Sequence, residues 1–110
     1  MRDKLQEGQL FAYYGGLLNP HRREILRLYY DCDMSLAEIA EVTGTSRQAV
    51  REAIVRSTGK LEIWEQKLNL INKVDSISAE LNKIIASIDS VDKVEVKAKL
   101  CSLLDEIKEI

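Results

Sequence analysis

Arg47, Gln48 and Arg51 are the residues of this chain whose types and spacing are most suited to recognition chemistry. Arginine carries a planar fork of donors that can bind the O6/N7 edge of guanine, and glutamine can bind the N6/N7 edge of adenine. Placed at i, i+1 and i+4 of one helix, the three would share its outer side while Val50 and Ile54 face inwards. Thr45 and Ser46, just before that helix, could donate to a phosphate together with its N-terminus. Arg56 and Lys60 continue the positive charge along the chain towards a nucleic-acid backbone.

The elements that must position these side chains can be read from the same stretch. Ser35 is placed to cap a first short helix, and Glu38 three residues later can reach back to close a capping box. Leu36, Ile39 and Ala40 then form one apolar face. Gly44 stands where that helix ends, a position that favours positive φ. Ser46 is a second N-cap, and the helix after it carries Val50 and Ile54 on its inner face. Two helices joined by a tight glycine turn, over residues 35–57, make a helix-turn-helix.

Composition agrees with an all-α fold. The chain has 110 residues, 45% hydrophobic and 31% charged, with one proline and five glycines. A first helix is expected from about Arg2 to Leu18, with Leu10, Phe11, Tyr14, Leu17 and Leu18 inwards. Gly15 and Gly16 weaken its last turn, implying a kink, a close contact or an early end. Asn19 and Pro20 restart the chain as N-cap and first helical residue, and Ile25, Leu26, Leu28 and Tyr29 fill the next helix to about Asp31–Asp33. Beyond Ile54, the stripe Leu61, Trp64, Leu68, Ile71, Val74, Ile77, Leu81, Ile84 and Ile88 predicts one coiled-coil-like helix over residues 61–88. The successive threes from Ile71 to Ile77 imply a drift or bend there. Asp89 and Ser90 are placed to end it and cap a last helix with Val96, Leu100, Leu103, Leu104, Ile107 and Ile110 inwards. The expected organisation is a helical domain over residues 1–60 and a long helix plus C-terminal helix, an arm or hairpin for oligomerisation, over residues 61–110.

Charge narrows the function classes. The net charge is −2, yet residues 42–60 carry Arg47, Arg51, Arg56 and Lys60 against Glu52 alone. Residues 61–110 are acidic, with seven lysines against ten carboxylates. A basic surface on an acidic body can bind phosphate with strong salt dependence. With one histidine, no glycine-rich phosphate loop and no carboxylates at catalytic spacing, no enzyme chemistry is expected: no catalytic residue, no metal and no cofactor. Cys32 and Cys101 read as isolated thiols, Cys32 as a buried small residue. No apolar run reaches membrane-span length and no leader is evident, so a cytoplasmic protein is expected. Nine apolar side chains on the long helix exceed what a monomer leaves exposed. The last helix, folded back, can cover about half of that length. The remainder can pack on the N-terminal helices or on a second copy of the arm, of which a homodimer is the favoured reading. Tyr13, Tyr14, Tyr29 and Tyr30 read as core and rim, Trp64 as a packing anchor, and His21 as an exposed residue of a first turn.

Four blocks resemble the YlxM family of small bacterial helix-turn-helix proteins. They are Leu10-Phe-Ala-Tyr-Tyr-Gly-Gly-Leu-Leu-Asn19, Leu28-Tyr-Tyr30, the Ser35–Ala40 segment and Ser46-Arg-Gln-Ala-Val50, and the likeness extends through Trp64-Glu-Gln-Lys-Leu-Asn-Leu70. The motif also resembles region 4 of sigma factors. The chain departs from the family's usual pattern at Arg51, where tyrosine is common, and at Gly15-Gly16. The YlxM resemblance implies a regulatory or accessory role in the signal recognition particle pathway, with RNA, the particle's RNA included, or its protein subunit as partner. The helix-turn-helix itself points to DNA or RNA. The alternative is a non-catalytic interaction module of the particle that no longer reads DNA.

Overall fold

In the computed structural model, which describes residues 3–110, the chain begins on a cap. The Asp3 carboxylate accepts the Gln6 N–H at 2.8 Å and the Gln6 side chain accepts the Asp3 N–H at 3.1 Å. This box opens α1, Lys4–Tyr14. The expected start at Arg2 lies outside the described residues. Leu10 and Tyr14 are buried, but the helix ends before the glycine pair, and Gly15–Leu17 form a single 3₁₀ turn. Gly15 is required by a close approach: a Cβ there would lie 2.6 Å from the Phe11 ring. The tighter winding of the turn rotates Leu17 off the inner face, leaving it 63% exposed, and Leu18 is buried instead. Leu17 is therefore not a core residue.

Asn19 caps α2, Pro20–Tyr30, by accepting the Arg22 N–H at 2.9 Å, with Pro20 pre-setting the first turn. Ile25, Leu26 and Leu28 are buried, while Tyr29 is half-buried and His21 exposed. The half-buried Tyr30 hydroxyl donates to the Glu7 carboxylate at 2.8 Å, and burial, then that carboxylate, pushes its pKa well above the usual phenol range. Cys32 is exposed, contrary to the expected buried thiol, because it follows the end of α2 rather than lying on its inner face.

The next helices are α3, Leu36–Thr43, and α4, Arg47–Leu68. The Ser35 hydroxyl accepts the Glu38 N–H at 3.1 Å and Glu38 accepts the Ser35 N–H at 3.0 Å. The Ser35 backbone bond, then its hydroxyl, holds the Glu38 carboxyl below the usual carboxylate range. The contribution of this box is thus complete above the ordinary carboxylate pKa and fades as pH falls through the lowered one. Ser35→Ala is expected to cost about 0.5–2 kcal/mol in chemical denaturation. Gly44 adopts φ 69°, the left-handed cap that its position calls for.

α4 packs against α1, α2 and α3 and is the spine of the N-terminal unit, residues 1–68. Val50, Ile54, Ser57, Leu61 and Glu65 are buried along it. The Ser57 hydroxyl has no hydrogen-bond partner among the described residues. Burying such a group costs about 1–3 kcal/mol, so Ser57→Ala is expected to leave stability unchanged or raise it by roughly 1 kcal/mol. A lower melting temperature for this variant would contradict the assignment.

The expected continuous helix over residues 61–88 is broken. Asn69 takes a left-handed conformation, φ 50° and ψ 33°, which asparagine tolerates better than most residues, and α5 runs from Leu70 to Ser87. Leu61, Trp64 and Leu68 thus belong to the helix that carries Arg47. The boundary between units falls at Leu68–Asn69 rather than after residue 60. In the second unit, residues 69–110, α5 and α6 (Lys93–Lys108) pack through Ile77, Ile84 and Leu103, with Val96 against them. Asp92, not Asp89 or Ser90, caps α6, accepting the Glu95 N–H at 2.8 Å. Of the six residues expected inwards on α6, only Leu103 is buried and Val96 half-buried. A two-helix unit has one seam, which covers only a narrow stripe of each helix. Among the described residues there is no strand, and no helix is long and apolar enough to cross a membrane.

Candidate nucleic-acid interface

The turn between α3 and α4 is tied down from within. The Thr43 hydroxyl donates to the Ile39 carbonyl at 2.8 Å. Its proton is thereby committed, so the Thr45 hydroxyl, 2.9 Å away, donates to Thr43. The Thr45 N–H donates to the Ala40 carbonyl at 3.0 Å. Both donors of Thr45 are therefore occupied in the free chain, and a phosphate at this turn must exchange for one of them. Ser46 differs. Its oxygen accepts the Ala49 N–H at 3.0 Å, which leaves its proton free to donate outwards.

Beyond the cap, the inner face of α4 is Val50, Ile54, Ser57 and Leu61. Helical geometry then turns Gln48, Arg51, Glu52, Val55 and Arg56 to one open side, where they line a shallow groove of about 420 Å³. Arg47 is exposed at the head of the helix. Lys60 is exposed as well but does not line this groove, so it belongs with these residues by charge and not by position. Thr45 and Ser46 are exposed at the turn.

The rival arrangement would have Arg47 and Arg51 consumed by Glu52 or Glu38. Glu38 is instead engaged by Ser35, and neither arginine has an ion pair among the described residues. Glu52 shares the groove with Arg51 without binding it. Val55, 61% exposed, adds an apolar contact on the same side, of the kind that suits a thymine methyl group.

The sequence profile of the YlxM/p13-like helix-turn-helix proteins (UPF0122) matches residues 1–104. The chain belongs to that family. It is similar to a UPF0122 protein of Clostridium kluyveri, 42% identical over 108 residues that cover 98% of this chain and 94% of that protein. A UPF0122 protein of Thermoanaerobacter sp. is 36% identical over 98 residues, covering 89% and 84%. A third, from Clostridium botulinum, is 45% identical over 73 residues, covering 66% and 67%.

In this YlxM/p13-like chain, two supporting residues escape a reading of the motif alone. Glu65, on the same helix beyond the last groove residue Arg56, accepts the Tyr14 hydroxyl at 2.6 Å in the interior and so fastens the far half of α4 to α1. Its position four residues after Leu61, on the apolar stripe, is the signal that marks it as inward. Thr43 is the other, through its bond to the turn. Among the described residues, no His, Cys, Asp or Glu cluster could hold a metal ion.

Proposed function

We propose that this protein is a non-catalytic regulator that binds nucleic acid through the N-terminal half of α4. The reading is supported chiefly by the pair Arg47 and Arg51, exposed, without an ion pair among the described residues, and flanking Gln48 on a capped helix. In this role Arg47, Gln48 and Arg51 approach base edges. Ser46, the helix N-terminus and, after exchange of an internal bond, Thr45 hold phosphate, while Arg56 and Lys60 lie along the backbone. Duplex DNA suits such a helix better than duplex RNA. The major groove of B-DNA is about 12 Å wide and admits a helix, whereas that of A-form RNA is too deep and narrow for side chains to read. Binding to DNA would place the protein in the cytoplasm. The resemblance to YlxM proteins extends the proposal to the signal recognition particle pathway.

The test is a salt-titrated binding assay of the full chain with three ligands: duplex DNA, signal recognition particle RNA and the particle's protein subunit. Expected is binding to DNA that weakens steeply as salt rises. If no nucleic acid binds at low salt while the protein subunit does, the interaction-module reading takes its place. Glu52→Gln is expected to strengthen DNA binding about twofold to fivefold at low salt, because it removes the one carboxylate from the groove.

A further inference from the structure

The unit formed by α5 and α6 carries more apolar surface than its own core uses. Ile77, Ile84 and Leu103 are buried between the helices. Leu81, Ile85 and Ile88 on α5 and Leu100, Leu104 and Ile107 on α6 remain exposed, Ile85 to 68%. Helical spacing puts all six on the same side of the pair. Between Ile88, Val91 and α6 this face deepens to a groove of about 490 Å³, edged by Lys93 and Lys97. Two helices with so small a shared core are marginal in water, and the exposed face is the natural place for the missing burial.

The charges along its two edges say what covers it. The α6 edge is basic, with Lys93, Lys97 and Lys108; the α5 edge is acidic, with Asp75 and Asp89 two heptads apart. All five are exposed and have no ion pair among the described residues, whereas Glu80–Lys83 and Glu95–Lys99, elsewhere on these helices, pair at 3.2 and 3.6 Å. One face with opposite edges of opposite sign is complementary to itself.

We propose that the face is covered by the same face of a second copy, giving an antiparallel four-helix bundle in which α6 of each chain lies over α5 of the other. The two-fold axis runs parallel to the helices. That symmetry brings both interhelical loops to one end. Lys93 and Lys97 then lie near Asp89 of the second copy, and Lys108 near its Asp75. The other symmetric docking sets α6 on α6 and lysine edge on lysine edge, which the charges oppose. Two-fold pairing of this kind is independent of whether α4 touches nucleic acid.

Sedimentation of the full chain at low micromolar concentration tests it. The unaltered protein is expected as a dimer, and Ile85→Glu with Leu104→Glu as a monomer of unchanged helical circular dichroism. Lys97→Glu with Lys108→Glu is expected to weaken the dimer about tenfold at low salt. Adding Asp75→Lys and Asp89→Lys to the same chain should restore it. The restoration also decides the matter if the apolar variants fail to fold, since all four charged sites are exposed. A monomeric unaltered chain would overturn the proposal, as would a dimer that survives Ile85→Glu with Leu104→Glu. Failure of the four-charge variant to recover would overturn it too.

Discussion

Arg47→Ala combined with Arg51→Ala is expected to lower affinity for duplex DNA by roughly thirtyfold or more at moderate salt, about 2 kcal/mol, without altering the fold. Each arginine that makes a bidentate base contact contributes about 1–3 kcal/mol, so the double variant sits at the low end of two such contacts. The salt dependence separates the roles of the two side chains. Loss of a phosphate contact lowers the slope of log K against log salt by about 0.9 and weakens all sequences alike. Loss of a base contact leaves the slope and removes discrimination at one position. Both arginines are exposed and free of ion pairs among the described residues, so their removal leaves no buried group unpaired and stability should not move. Unchanged affinity in the double variant would take α4 out of the contact surface.

The second large effect is on the fold. Leu61→Ala is expected to destabilise the N-terminal unit by about 2–5 kcal/mol in chemical denaturation, the cost of a cavity at a fully buried leucine. Val55→Ala, six residues earlier on the open side of the same helix, is expected to change stability by less than about 0.5 kcal/mol. The contrast tests the length of α4 directly. Were Leu61 the head of a separate arm, its truncation would leave the helix-turn-helix intact. Because α4 runs from Arg47 to Leu68 without interruption, the same helix that presents the arginines is anchored at Leu61 and Glu65. Loss of that anchor should reduce DNA binding in proportion to the unfolded fraction and not beyond it.

The two readings of α4, as motif and as spine, show which features a sequence displays. Ser35, Glu38, Gly44 and Ser46 were legible because capping is local chemistry: a side-chain oxygen reaches an N–H two or three residues away, and glycine meets a positive φ. The outward set Arg47, Gln48 and Arg51 followed from the inward pair Val50 and Ile54 by helical geometry alone. Asn69 was not legible. The apolar stripe passes through it because both flanking helices bury a face, and one left-handed residue leaves no mark on that repeat. Leu17 failed for a related reason, since three residues of tighter winding re-aim a side chain without changing the apolar pattern. On α6 the pattern put six residues inwards, yet only Leu103 is buried and Val96 half-buried, because apolar spacing marks a face without saying what lies against it. Leu100, Leu104 and Ile107 have the spacing of core residues and no cover within their own chain.

The most direct measurement is an amide chemical-shift titration of the full chain with duplex DNA at low salt. Contact through the N-terminal half of α4 predicts the largest changes at Thr45, Ser46, Arg47, Gln48 and Arg51, fading towards Leu61, with α5 and α6 unmoved. Changes confined to other helices, or none at concentrations where DNA is bound, would contradict it.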